Sequence, residues 1–234
     1  MKKAVVLSSG GLDSTTCMAL AVRDYGKENV VSVSIFYGQK HKKELECARA
    51  VSRYYEIPHY EFDLSSIMAY SNCSLLEGST QQIEHKSYSE QVEKNADGRV
   101  NTYVPFRNGL MLSVCASLAQ GLFEDEECDI VIGVHSDDAA GNAYADCSVE
   151  FVDTMSRGIS IGTYGKVKVL APFYKNNKAG IVKKGLELGA PYNLTWSCYE
   201  GGDRPCGECG TCRDRAAAFA ANGAEDPIIS GKSH

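Results

Sequence analysis

A short apolar run that leads into a glycine-rich turn and then a helix is the feature that most restricts the fold of this chain. Residues 4–7 are Ala-Val-Val-Leu, Ser9-Gly10-Gly11 follows, and helical spacing extends over 13–25. Two glycines let the backbone turn tightly with its N–H groups facing a ligand, and the N-terminus of the next helix favours an anion. The sequence therefore predicts a β-α unit that binds phosphate at the carboxyl edge of an open sheet.

Strand-like and helix-like segments alternate along the rest of the chain. We predict strands at 30–36, 60–64, 129–134 and 167–170, and helices at 42–55, 108–122, 149–157, 178–188 and 213–221. The stretch 65–104 is polar and aperiodic, which indicates an excursion with little core, typical of a lid or binding loop. The alternation predicts an α/β fold with a doubly wound parallel sheet. We place the main domain at 1–190 and a C-terminal segment packed on it at 191–234.

Charge and hydropathy narrow the class of protein. The 234 residues are 44% hydrophobic with a formal net charge of -6, so we expect one sizeable domain without a basic face for a nucleic acid. The apolar run at the start is too short for a secretory signal, and we find no apolar run long enough to span a bilayer. We therefore expect a cytoplasmic protein with no membrane partner.

The glycine-rich turn differs from two better-known phosphate loops. A Walker A loop needs Gly-Lys-Ser/Thr, and a dinucleotide fingerprint needs Gly-x-Gly-x-x-Gly, and neither occurs here. For a bare Gly-Gly pair, an ordinary turn with Ser or Asp13 capping the helix is the commoner structure. The predicted nucleotide-binding residues are Ser8, Ser9, Gly10, Gly11, Leu12, Asp13, Ser14, Thr15 and Thr16, with Tyr37 and Gln39 added because they follow the second strand.

Four of the ten cysteines crowd into fifteen residues near the C-terminus. Cys198, Cys206, Cys209 and Cys212 stand beside glycines that allow tight turns, and four thiolates suit a closed tetrahedral Zn²⁺ site. An iron-sulfur cluster remains a competitor, and four unligated thiols are a weaker one. The six scattered cysteines are interpreted as small buried apolar residues.

The hexapeptide Ser9-Gly10-Gly11-Leu12-Asp13-Ser14 has the form SGGxDS, the signature of the PP-loop ATP pyrophosphatases. The resemblance extends along the chain to the 7-cyano-7-deazaguanine synthase family of queuosine biosynthesis. The segments that carry it are 37–41 (YGQKH), 104–108 (VPFRN), 146–147 (DC), 195–199 (TWSCY) and the cysteine-rich stretch as far as Asp226-Pro227. One departure is Phe106, where a small residue is expected in the family.

This resemblance implies a fold like the adenine nucleotide alpha hydrolases and a ligase that forms C–N bonds. It implies that ATP and ammonia convert 7-carboxy-7-deazaguanine into 7-cyano-7-deazaguanine through an adenylated acid and an amide. ATP, Mg²⁺ and Zn²⁺ are the implied cofactors, and a homodimer is the implied assembly. We assign catalytic roles to Asp13, to Arg107 facing nucleotide or substrate, and to Lys178 reaching a phosphate, although a surface position is the commoner setting for such an Arg or Lys.

Two other functions stay open at the level of sequence. A tRNA thiolase of the same superfamily would use a persulfide on a Cys-x2-Cys pair, against which the acidic balance and the complete cysteine quartet argue. A nucleotide-binding sensor with a metal-stabilised interaction module would not turn ATP over. Release of pyrophosphate separates the sensor from an enzyme.

Overall fold

One parallel sheet forms the centre of the protein. The computed structural model describes residues 2–82, 100–136 and 144–230. Across these ranges, five parallel strands pair in the order β3-β2-β1-β4-β5. They are β1 (Lys3–Leu7), β2 (Val30–Phe36), β3 (His59–Asp63), β4 (Cys128–Val131) and β5 (Val167–Leu170). The predicted doubly wound α/β fold is therefore confirmed, and its strand order reverses between β1 and β4, where such sheets open a crevice.

Helices follow the strands and cover both faces of the sheet. They are α1 (Leu12–Tyr25), α2 (Lys43–Tyr54), α3 (Ser65–Met68), α4 (Arg107–Phe123), α5 (Val149–Gly162), α6 (Lys178–Glu187), α7 (Gly210–Ala221) and α8 (Pro227–Ser230). Short 3₁₀ turns occupy Lys27–Asn29, Ala145–Cys147 and Tyr192–Leu194. Among the helices in the described ranges, none is long and apolar enough to cross a membrane.

Alternating residues of β1 separate two apolar layers, as the period of a strand requires. Val5 packs with Leu112 of α4 in one layer, and Val6 packs with Met18 of α1 in the other. The second layer also contains Tyr192 and Phe219, so the C-terminal part of the chain shares this core. The division into domains at residue 190 stays a prediction.

Three predicted boundaries are wrong by three residues or more. The helix predicted at 213–221 begins at Gly210. The strand predicted at 129–134 ends at Val131, since Gly133 already lies against the start of α1, where an added Cβ would stand 3.1 Å from the Ser14 backbone nitrogen. The helix predicted at 149–157 continues to Gly162, because Ile159 keeps its apolar face in the core. All three errors lie at ends of elements, where tertiary contacts decide.

The polar excursion contains more core than its composition predicts. Met68, Leu75 and Leu76 from its first part and Val104 from its end are buried in the same apolar layer as Val5. Residues 83–99 of the excursion lie outside the described ranges. The expectation of little core is therefore wrong for the described part, since widely spaced apolar residues have no periodicity for sequence reasoning to detect.

Candidate active site and cysteine cluster

The predicted phosphate loop lies between β1 and α1 at the carboxyl edge of the sheet. Ser14 Oγ accepts a hydrogen bond from the Ser9 backbone N–H at 3.2 Å and donates one to the Gly11 carbonyl at 3.3 Å. Gly11 precedes α1 without a side chain to cap it, so the N–H groups of the first turn remain available for an anion. Ser8 Oγ and Thr15 Oγ1 are buried without hydrogen-bond partners in the described ranges. Buried hydroxyl groups without a partner are typical of a site that binds a polar ligand.

Gly10 is required by the structure on two grounds. Its φ is +79°, in the left-handed region that favours glycine. A Cβ there would lie 2.0 Å from the Glu44 carbonyl oxygen and 2.6 Å from the Ala48 nitrogen, both of them α2 backbone atoms. The first glycine of the signature therefore lets α2 pack directly against the loop.

Asp13 and Lys178 are brought together although they are 165 residues apart in the chain. Lys178 Nζ donates to Asp13 Oδ2 at 3.1 Å, and His135 Nε2 lies 3.7 Å from the same oxygen. The other oxygen, Asp13 Oδ1, is buried and accepts no hydrogen bond from the described residues. Sequence reasoning missed His135, which is 2% exposed and lies just beyond β4. Its place after a central parallel strand is the signal that could have found it.

Arg107 lies beside Tyr37, which follows β2. Its Nη1 donates to Tyr37 Oη at 3.3 Å, and its guanidinium carbon lies 5.4 Å from the centre of that ring. Gln39, also predicted to bind nucleotide, turns its amide oxygen to the Tyr37 backbone N–H at 2.8 Å. Gln39 therefore holds the backbone at Tyr37 in place. The ligand-binding roles assigned to Tyr37, Gln39 and Arg107 stay predictions.

The Asp146-Cys147 pair anchors the start of α4. Asp146 Oδ2 accepts from the Asn108 backbone N–H at 2.9 Å, and Asn108 Nδ2 donates to the Asp146 carbonyl at 3.0 Å. Phe106, immediately before the helix, has φ of +52° and lies in the left-handed region. This backbone conformation favours glycine, which accounts for the expectation of a small residue at this position. Phe106 keeps the conformation and packs edge-on against Phe151, with ring centroids 5.8 Å apart.

Glu44 of α2 is a second residue that sequence reasoning missed. It is partly buried in the first turn of α2. Burial raises the pKa of its carboxyl group to about 7, against the opposing influence of the Arg107 charge. Glu44 therefore holds its proton more strongly than a solvated glutamate does.

The four C-terminal cysteines converge as predicted. Their sulfur atoms all lie within 4.8 Å of one another, and Cys206 Sγ is 4.0 Å from Cys212 Sγ. Backbone N–H groups of Cys206 and Cys209 donate to neighbouring sulfurs at 3.3 Å each. Hydrogen bonds from the Cys212 thiol and Thr211 lower the pKa of Cys209 to about 4 despite its burial. The cluster can therefore bind a metal ion.

Five of the six scattered cysteines are buried, as predicted, namely Cys17, Cys73, Cys115, Cys128 and Cys147. The sixth, Cys47, is partly buried on α2 and packs against the four-cysteine cluster and Trp196. The prediction of a fully buried side chain is therefore wrong for Cys47. Its position joins the cluster to the helix that supports the phosphate loop.

The chain just before the cluster also contacts the phosphate loop directly. The Trp196 backbone N–H donates to the Gly10 carbonyl at 3.0 Å, and Tyr192 Oη lies 2.7 Å from Thr16 Oγ1 of α1. Arg215 is 2% exposed and holds this segment by donating to Thr195 Oγ1 at 2.7 Å. Its guanidinium also forms a buried ion pair with Asp226. We call residues 192–198 the strap, because they connect the cysteine cluster to the loop.

Comparison with known proteins agrees with this arrangement. The sequence profile of the queuosine biosynthesis protein QueC matches residues 3–223. The 7-cyano-7-deazaguanine synthase of Archaeoglobus fulgidus is 41% identical over 229 residues, which cover 97% of this chain and 90% of that protein. This chain belongs to the QueC family. The resemblance drawn from the sequence motifs is thereby confirmed.

Other QueC relatives are similar over the same extent. The 7-cyano-7-deazaguanine synthase of Methanoculleus marisnigri is 40% identical over 232 residues, covering 97% of this chain and 98% of that protein. Among solved structures, the NMN synthetase of Francisella tularensis matches with a TM-score of 0.50 and 12% identity, covering all of this chain and 79% of that one. That match concerns the fold, and the QueC family relationship rests on sequence.

Proposed function

We propose that this protein is an ATP-dependent ligase that converts 7-carboxy-7-deazaguanine and ammonia into 7-cyano-7-deazaguanine, through an adenylated acid and an amide. The observation that carries the proposal is the phosphate loop with Lys178 paired to Asp13 of its helix, and with Arg107 paired to Tyr37 beyond the neighbouring strand, in a QueC chain. An uncapped helix start and two cations suit a reaction in which phosphate charge develops.

The reaction has one recurring chemical problem. Neither a carboxylate oxygen nor an amide oxygen leaves readily, and adenylation makes each a good leaving group. The loop N–H groups of α1 and the Lys178 ammonium would bind and orient the phosphates. Arg107, fixed by Tyr37 and by the anchored start of α4, would hold the acid or the nucleotide in place.

Asp13 fits the implied Mg²⁺. Its Oδ1 is buried without a hydrogen-bond donor in the described part of the chain, and a carboxylate oxygen is a ligand that Mg²⁺ prefers. When bound there, the ion supplies charge neutralisation of the phosphates. Lys178 keeps the other oxygen of Asp13 oriented at 3.1 Å.

The cysteine cluster fits Zn²⁺ better than an iron-sulfur cluster. Tetrahedral coordination with Zn–S bonds of about 2.3 Å places sulfurs roughly 3.8 Å apart. The Cys206–Cys212 separation of 4.0 Å is near that value, while a cluster of several iron atoms spreads its thiolates further. We propose a structural zinc held by Cys198, Cys206, Cys209 and Cys212.

Assembly and location remain part of the proposal. We propose a cytoplasmic homodimer that acts on a small molecule, without a nucleic-acid or membrane partner. The net charge of -6 disfavours a nucleic-acid partner. The division into an ATP-binding domain at 1–190 and a zinc-binding segment at 191–234 also stays a proposal.

Direct turnover tests the function. The purified protein with ATP, Mg²⁺, ammonium and 7-carboxy-7-deazaguanine should make the nitrile through a detectable amide, with release of pyrophosphate. With ¹⁵N-ammonium, mass spectrometry should find one labelled nitrogen added in the first step and none in the second. Supplied amide should also become nitrile and consume ATP. If neither acid nor amide is converted while pyrophosphate is released with another acceptor, the proposed substrate is wrong.

A further inference from the structure

We propose that Tyr192 is a positioning residue, whose hydroxyl group fixes α1 relative to α6 and so sets the distance between Asp13 and Lys178. The inference rests on the proposed function, in which both of these side chains act at the ATP phosphates. It assigns a role in that function to a buried side chain of the strap, about one helical turn away from the pair.

The tip of the Tyr192 side chain lies between the two helices. Its hydroxyl oxygen is 2.7 Å from Thr16 Oγ1 of α1 and 3.4 Å from the Ile181 carbonyl oxygen of α6. A phenol can accept one hydrogen bond while it donates another, so Tyr192 can accept from Thr16 and donate to Ile181. The side chain is 3% exposed, so neither contact is open to bulk water.

Gly185 of α6 makes room for this hydroxyl group. A Cβ at Gly185 would lie 1.8 Å from Tyr192 Oη and 3.0 Å from Thr16 Oγ1. Glycine inside a helix is less stable than alanine, and Gly185 is a buried residue within α6. The close approach of α1, α6 and the Tyr192 hydroxyl group is what requires a glycine at this position.

Both contacts of the hydroxyl group lie about one helical turn from the site residues. Thr16 follows Asp13 by three residues on α1. Ile181 follows Lys178 by the same interval on α6. Residues three apart are neighbours on a helix, and the Asp13 carboxylate meets the Lys178 ammonium at 3.1 Å. A change in the separation of α1 and α6 would therefore change the geometry of this pair.

Tyr192 is itself held in place by the C-terminal part of the chain. Its ring packs edge-on against Phe219 of α7, with centroids 5.3 Å apart. Its carbonyl oxygen accepts from Arg215 Nη2 at 3.2 Å and from Thr195 Oγ1 at 2.7 Å. A supporting side chain that is locked by packing and hydrogen bonds keeps the groups above it within narrow limits. The strap therefore acts through Tyr192 on the two helices that carry the pair.

Tyr192→Phe tests the inference, because it removes the hydroxyl group and keeps the ring. The kcat for pyrophosphate release should fall about 30-fold, since a displacement of about 1 Å in a site costs up to about 100-fold. The KM for 7-carboxy-7-deazaguanine should change by less than about twofold. The Kd for ATP with Mg²⁺, measured by calorimetry, should rise about tenfold, since Lys178 then meets the phosphates less well. The Tm should fall by about 3 °C.

Tyr25→Phe is the matched control, since Tyr25 lies at the other end of α1 and borders the same apolar layer. It removes a hydrogen bond of 2.6 Å to Asp129, so its Tm should also fall by about 3 °C. Its kcat and its Kd for ATP should match wild type, because this end of the helix is distant from Asp13. If the two variants lose activity equally, or if Tyr192→Phe keeps both wild-type values, the inference is wrong.

Thr16→Val tests whether the effect passes through the contact with α1. Valine has nearly the shape of threonine but lacks the hydroxyl group, so either single variant breaks the same hydrogen bond. The double variant with Tyr192→Phe should therefore be no slower than the slower single variant. If the two losses multiply, Tyr192 acts through another contact and the inference is wrong. If wild type converts neither acid nor amide, the proposed function is wrong, and the Kd for ATP then decides the inference.

Discussion

The phosphate loop and the cysteine cluster are both short motifs, yet they are held in different ways. The loop depends on backbone geometry, since Gly10 lies directly against the backbone of α2. The cluster depends on four side chains that converge through local turns, with few contacts to the sheet. We therefore expect the loop to be disrupted when a side-chain atom is added at Gly10. We expect the cluster to lose its metal when one of its four thiol ligands is removed. The following substitutions test that difference, beginning with the largest effect.

Gly10→Ala should have the greatest effect. The new Cβ would overlap the Glu44 carbonyl at 2.0 Å, and the φ of +79° disfavours alanine. We expect no detectable pyrophosphate release and a loss of about 4 kcal/mol in the free energy of unfolding, measured by urea titration. Gly158→Ala is the matched control, because it lies in α5 with open space around it and should be neutral or stabilising by up to about 1 kcal/mol. Equal behaviour of the two variants would mean that the loop is an ordinary turn.

Asp13→Asn should lower the reaction rate without changing the fold. The side-chain oxygen can still accept from Lys178, so the circular dichroism spectrum should match wild type. Loss of the charge should lower the rate of pyrophosphate release by roughly 300-fold. Asp24→Asn, at the exposed end of the same helix, should leave the rate unchanged. If Asp13→Asn keeps the full rate of turnover, the Asp13 carboxylate has no role in the mechanism.

Cys209→Ser should act first on metal content and stability. Elemental analysis should find about one zinc per wild-type chain and far less in the variant, with a loss of about 3 kcal/mol in unfolding free energy. Turnover at a temperature where the variant is folded should fall about tenfold, since the strap that contacts Gly10 is loosened. Cys115→Ala, in the core away from the cluster, should keep its zinc. Stoichiometric iron in wild type, or unchanged stability of Cys209→Ser, would contradict a structural zinc.

Trp196→Phe should have the smallest effect. It removes the indole hydrogen bond to the Cys198 carbonyl at 2.8 Å but keeps the backbone N–H that contacts Gly10. We expect a loss of about 1 kcal/mol in stability and a change in KM for ATP of less than about threefold. A much larger change in KM would mean that the ring itself, which lies under the Lys43 ammonium at 4.1 Å, shapes the loop.

Sequence reasoning succeeded where the determinants are local. The β1 strand, the loop and the cysteine spacing are encoded within a few neighbouring residues, and each was placed correctly. It failed where distant packing decides, as at the end of β4 beside Gly133 and in the buried residues of the excursion. Glu44 and His135 were missed for the same reason, because their significance lies in neighbours far away in the chain.

The strap has a consequence for how the protein is made. Thr16 of the phosphate loop region and Tyr192 are 176 residues apart, yet their hydroxyl groups hydrogen-bond. On the ribosome, the loop emerges well before the strap and Arg215. A nascent chain can assemble β1, α1 and β2 long before Gly10 gains its contact with Trp196. The phosphate loop is therefore synthesised early, but its contact with the strap forms late. A chain truncated before the strap would contain the SGGxDS motif but would lack the contact that holds Gly10.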